Sequence, residues 1–132
     1  MYLRTIFLCI IKNNQKMSNQ TKPLINWEVF SAIDMRVGTI LSAKHFLKAK
    51  NPSYILTIDF GDLGIKKSAA QITNLYTIEE LIGQQIIAVV NFPPKQIANI
   101  MSECLVLGIL GNKKDVTLLQ PQQKVANGLK IG

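Results

Sequence analysis

A chain of 132 residues, 48 % hydrophobic and 17 % charged, is long enough for one closed core and too short for two, and its composition excludes global disorder. The formal charge is +7, but residues 1–22 hold Arg4, Lys12, Lys16 and Lys22 with no acid, so residues 23–132 carry 11 basic against 8 acidic side chains. That mild surplus permits nucleic-acid binding without requiring it.

Along the chain, Ile6 to Ile11 forms a six-residue apolar run. It is far short of the ~20 residues of a membrane span and at or below the ~7–15 of a signal-peptide core. Met17 then opens a polar stretch. The expectation is that Met17 is the biological start, that residues 1–24 are a disordered N-terminal extension, and that 25–132 is the folded domain. From Asn26, which can cap free N–H groups, Trp27, Phe30 and Ile33 recur on roughly one helical face. This predicts an N-terminal helical turn that plugs a barrel or meets a second copy.

From Asp34 the pattern becomes β. Met35–Ala43 alternates, and Gly38 inside it predicts a bend or bulge. Residues 44–53 read as a basic loop. Tyr54–Phe60 is a second strand, Gly61–Gly64 a turn, and Ile65–Ile72 a third strand, so the first three form a meander. Thr77–Gly83 reads as a short helix, with Thr77 as cap, Glu80 three residues on and Gly83 at its end. Gln85–Asn91, apolar on both sides, is a central strand. Leu105–Leu110 and Val116–Leu119 are two more, joined by a hairpin loop at 111–115, and Leu129–Ile131 can add an edge. This order is all-β: a five-stranded Greek-key barrel of the OB type, with the short helix between strands 3 and 4 plugging its bottom.

Catalytic chemistry is missing from the pattern. There is no phosphate loop, dinucleotide fingerprint or nucleophile elbow. No acid pair sits with a histidine at a working spacing. His45 is expected to be solvated. Cys9 and Cys104 are distant and outside any CxxC spacing, which excludes a zinc site. Each is expected as a buried small hydrophobe in a reducing compartment. The expectation is a binding protein with no cofactor and no metal.

Two segments can bind. In Gly64–Ile72, Lys66 and Lys67 point to opposite faces of a strand, and Ser68 and Gln71 can hydrogen-bond phosphates or base edges; solvated lysines on an exposed strand are the equal alternative. In 91–103, Pro93 and Pro94 fix the exit from a central strand, Ile97, Ile100 and Met101 anchor a loop, and Asn91, Lys95 and Ser102 stand at the rim. Both this loop and 44–53 lie where OB folds bind oligonucleotides. Phe46, Tyr54 and Phe92 are candidate stacking platforms, each equally a core residue.

The motifs Asp34-Met35-Arg36-Val37-Gly38-Thr39-Ile40, Ile58-Asp59-Phe60-Gly61, Ile65 to Thr73, Val89-Val90-Asn91-Phe92-Pro93-Pro94 and Ser102-Glu103-Cys104-Leu105-Val106-Leu107-Gly108 resemble the CsaA-type proteins, export-associated chaperones built on a tRNA-binding OB fold. The likeness runs from about Trp27 to Gly132. More distantly the chain is similar to tRNA-binding domains appended to methionyl- and phenylalanyl-tRNA synthetases. The resemblance implies a cytoplasmic homodimer that binds tRNA, with chaperone activity toward unfolded or secretory precursor polypeptides and no integral membrane association. Carried over by motif, Lys66, Lys67, Ser68, Gln71, Asn91, Lys95 and Ser102 would face RNA. Ile97, Ile100 and Met101 would serve a polypeptide, the alternative being a polypeptide-binding chaperone dimer with little RNA affinity. The chain departs from the pattern at Gln96 and Met101, where basic residues are frequent, and at Asn99, where glycine is usual.

Overall fold

The computed structural model describes residues 21–132. Of the expected extension 1–24, residues 1–20, with Met17 and Cys9, lie outside the described residues. Described residues up to Phe30 belong to one compact unit and Ser31–Gly132 to another. In the first, Asn26 caps the start of helix α1 (Trp27–Ser31), its Oδ1 accepting from Val29 N–H at 2.9 Å, and the Trp27 and Phe30 rings lie 5.3 Å apart.

The second unit begins with β1 (Met35–His45), β2 (Tyr54–Asp59) and β3 (Ile65–Ala70), followed by the single-turn helix α2 (Ile78–Leu81) and β4 (Gln85–Val89). Then come β5 (Lys95–Ile97), β6 (Ile100–Ser102), β7 (Leu105–Val106), β8 (Gly108–Leu110) and β9 (Val116–Leu118). The main sheet runs β3-β2-β1-β4-β7, antiparallel throughout. A three-strand meander whose fourth strand returns beside the first is a Greek key. β1 is long enough to pair with β4 through Met35–Thr39 and with β2 through Thr39–His45. The fold is thus the expected all-β, nearly closed five-stranded OB-type barrel.

The core is the inner face of this sheet. Ile40, Leu56, Ile58, Phe60 and Ile86 are fully buried, and α2 adds Leu81 beneath them. Thr77 caps α2 by accepting from Glu80 N–H at 3.3 Å. A helix of four residues has almost no stability of its own, so burial of Leu81 is what holds it in place.

Three local expectations are corrected. The bulge in β1 falls between Ile40 and Ser42, not at Gly38. It turns Leu41 outward and lets Ala43 regain the inner face. Gly38 instead makes room: a Cβ there would sit 2.6 Å from Ile58 and 2.7 Å from the Phe60 ring. The basic loop is shorter than 44–53, because Lys44 and His45 belong to β1 and Phe46 N–H donates to Ser53 O. The segment 91–103 is not a plain loop: β5 and β6 pair as a hairpin of their own, Lys95 opposite Ser102, Gln96 opposite Met101 and Ile97 opposite Ile100.

The C-terminal segment does add an edge. Gly128 N–H donates to Val37 O at 2.7 Å, Val37 N–H to Leu129 O at 3.0 Å, and Ile131 N–H to Met35 O at 3.0 Å. Arg36 reinforces it by pairing with Asp34 at 2.6 Å and donating to Gly128 O at 3.0 Å.

Candidate functional site

Strand register decides which side chains share a surface. Ala43, Leu56 and Ser68 form one cross-strand row and are buried, so the neighbouring rows face outward. Those outer rows are Ser42–Thr57–Lys67 and Lys44–Ile55–Ala69. Lys44 and Lys67 therefore stand on one open face, about two strand spacings or ~10 Å apart in the sheet direction. Gln71, exposed, follows directly after β3. Lys66 takes the inner phase opposite Ile58 and is half-buried, so the two adjacent lysines do separate across the strand as expected.

The β5–β6 hairpin lies against β3. Ala69 N–H donates to Ser102 Oγ at 3.2 Å; Lys67 N–H donates to Glu103 Oε1 at 2.9 Å; Glu103 N–H returns to Lys67 O at 2.7 Å. Ser68 Oγ–H donates to Cys104 O at 3.0 Å. Ser68 and Ser102 are only 1 % and 7 % exposed. Ser102 Oγ thus ties β6 to β3, and Ser68 Oγ holds the backbone just beyond the hairpin at Cys104. Asn91 is exposed, and its amide is already hydrogen-bonded. Its Nδ2 donates to Ala32 O at 2.7 Å and its Oδ1 accepts from Asp34 N–H at 3.0 Å, so the amide ties the entry of β1 to the exit of β4.

Cross-strand pairs in the hairpin share a face. Lys95, Ile97, Ile100 and Ser102 therefore lie on one side, all at least half-buried, while Gln96 and Met101 lie on the other, with Met101 44 % exposed. The three apolar residues expected to serve a polypeptide are split between these two faces. At the hairpin tip it is Ala98 that takes positive φ, +48°, not Asn99. Gln96 Nε2 donates to Ala98 O at 2.8 Å across that turn.

Phe46 and Tyr54 are core residues, 5 % and 4 % exposed. Tyr54 Oη–H donates to Tyr76 O at 2.7 Å, and His45 packs edge-on against its ring. The outward rows of β1–β3 carry no aromatic ring, and Phe92, in the segment before β5, is half-buried. Burial pushes the Cys104 thiol up to about 12, so it stays protonated and inert. Among the described residues no group of His, Cys, Asp and Glu could hold a metal, and no helix is long and apolar enough to cross a membrane.

The site is thus a sheet face with Ser42, Lys44, Thr57 and Lys67, continued by Gln71 and bounded by the Lys95-bearing hairpin and the 47–52 loop with Lys48 and Lys50. The acids of the β2–β3 turn, Asp59 and Asp62, sit at the other end of these strands. Ser42 and Thr57 were not among the sequence candidates; their signal is the meander register, readable once the bulge at Leu41 is known.

A family model described as a putative tRNA binding domain matches residues 35–130. The methionine–tRNA ligase of Methanothrix thermoacetophila is 34 % identical over 110 residues, covering 83 % of this chain and 16 % of the ligase. That of Porphyromonas gingivalis is 31 % identical over 121 residues, covering 89 % of this chain and 18 % of the ligase. The chain thus spans less than a fifth of the length of these curated relatives. Two solved structures are each 52 % identical and are covered over 100 % of their length by 83 % of this chain: chaperone CsaA from Bacillus anthracis str. Ames, with a TM-score of 0.80, and CsaA chaperone protein from Picrophilus torridus, with 0.78.

Proposed function

This chain belongs to the putative tRNA binding domain family and, at 52 % identity over the whole of two solved chains, to its CsaA group; on that premise we propose that it binds tRNA as a cytoplasmic homodimer. The observation that carries the reading is the shared outer face of Lys44, Ser42, Thr57 and Lys67 beside the Lys95 hairpin. Cations there neutralise phosphates, and hydroxyls accept or donate to phosphate and ribose oxygens. Because the outward rows of β1–β3 hold no ring, the contacts on that face go to the backbone of folded RNA. Lys67, Gln71 and Lys95, with Lys44, are the proposed RNA contacts, whereas Lys66 points away from this face. Ser68, Ser102 and Asn91 act by holding the hairpin and the sheet end in place.

The test is a tRNA-binding titration over a salt series, run beside unstructured poly(U). Binding to tRNA that weakens steeply with salt, with poly(U) weaker at every salt, supports the reading. Failure of tRNA to bind at low salt removes it. A second reading, binding of unfolded or precursor polypeptides, is favoured by the chaperone titles of the two 52 % identical structures and by exposed Met101. Its mark is suppression of client aggregation that persists in high salt, because apolar contacts are not screened.

A further inference from the structure

The turn that seats the C-terminal segment holds the one Asn-Gly step in the chain, Asn127–Gly128. In an open chain such a step is chemically unstable. Glycine has no Cβ to shield its backbone nitrogen. Once hydroxide removes that nitrogen's proton, the nitrogen attacks the asparagine Cγ. A C–N bond forms, the side-chain amide leaves as ammonia, and the resulting five-membered imide is opened by water at either carbonyl. One opening gives aspartate. The other gives isoaspartate, with one extra methylene in the backbone.

In the fold every participant is occupied. The Gly128 N–H donates to Val37 O at 2.7 Å. Asn127 Oδ1 accepts from Thr39 Oγ1 at 2.6 Å and from Gln85 Nε2 at 3.2 Å. Gln85 is itself fixed to the Val125 backbone, donating to its O at 2.6 Å and accepting from its N–H at 3.1 Å. Ring closure needs the Gly128 proton removed and the Asn127 side chain turned away from both donors. We propose that Asn127–Gly128 is a spontaneous deamidation site that the folded chain holds closed, reacting only when the C-terminal segment opens from β1.

The two products differ in consequence. Aspartate keeps the backbone length, and its carboxylate accepts from the same Thr39 and Gln85 donors. Isoaspartate does not fit. The backbone here is packed against the β2–β3 turn so closely that a Cβ on Gly61 would lie 2.5 Å from Asn127 O, and a Cβ on Gly128 2.5 Å from Phe60 O. A lengthened backbone unseats this contact and frees the Met35–Val37 edge of β1.

The experiment holds the full chain at mildly alkaline pH, once in buffer and once in concentrated urea, and follows the amide-to-acid mass gain by peptide mapping. The expected result is conversion at Asn127 that is about 100-fold slower in buffer, because only the opened fraction reacts. Thr39→Val should speed the reaction in buffer and leave the urea rate unchanged. Asn127→Asp should keep the unfolding midpoint of the parent, while isolated isoaspartate product should lose it. Equal rates in buffer and urea, which the parent chain alone reveals, overturn the proposal. So does isoaspartate product as stable as the parent.

Discussion

Gly38→Ala tests the packing that shapes the barrel. The new methyl lies 2.6 Å from Ile58 Cγ2 and 2.7 and 2.8 Å from Phe60 Cε1 and Cδ1. Both neighbours are fully buried and cannot swing into solvent. Replacing glycine in an unstrained strand would ordinarily gain about 0.5–1 kcal/mol. Forcing a methylene into a filled core costs about 1–3 kcal/mol. The second effect wins, leaving a net loss of about 1–2 kcal/mol. With a urea m-value of about 2 kcal/mol/M, the midpoint falls by roughly 0.5–1 M. Urea unfolding followed by far-UV circular dichroism reads this directly. Phe60→Leu leaves space at the same point, so Gly38→Ala with Phe60→Leu should lose less than the two single losses combined, by about 0.5–1 kcal/mol. A Gly38→Ala chain as stable as the parent, or strict additivity in the double variant, would refute the reasoning.

Other outcomes follow from the site. Lys67→Ala and Lys44→Ala should each flatten the salt dependence of tRNA binding by about 0.9 in log–log slope, measured by filter binding or anisotropy. Ser68→Ala strands the Cys104 carbonyl and should cost about 1–3 kcal/mol of stability, with the slope unchanged; a changed slope in a folded Ser68→Ala chain would return that hydroxyl to the RNA surface. Ala98→Gly relieves a positive φ and should raise stability by about 0.5–1 kcal/mol in the same urea assay. Because the buried Cys104 thiol has its pKa raised from 9.0 to about 12, the unfolded chain releases that proton first. Its contribution to stability is therefore present below pH 9 and is lost as pH rises from 9 toward 12, by about 1.4 kcal/mol at pH 10. Comparing the parent with Cys104→Ala at pH 8 and pH 10 isolates this, since only the parent carries the thiol.

Much of the barrel was legible because its strands alternate and its turns carry turn residues. Tyr54–Asp59 shows the required period in full, and Thr77, with Glu80 three residues on, announces α2 ahead of its plug, Leu81. The hairpin at 95–102 was not legible, since two three-residue strands give periodicity nothing to count and Pro93–Pro94 reads as loop. Nor was the bulge at Leu41, whose one-residue phase shift reassigns every later side chain of β1. The candidate site suffered for the same reason. Lys67 was placed by strand phase, whereas Ser68 and Ser102 looked like ligand groups because sequence shows a hydroxyl but not whether a backbone carbonyl or N–H has already claimed it.

The seating of residues 125–131 on Met35–Val37 sets an order on synthesis. Arg36 and Lys130 are partners from opposite ends of the domain. Contacts of that sequence separation are slow to form because a long loop must close first. On a ribosome adding roughly 5–20 residues per second, the first half of β1 waits several seconds with one edge unpaired. Until then the backbone groups of Met35 and Val37 lack the partners that residues 128–131 supply, and a late-translated part of the domain is the part that closes this edge.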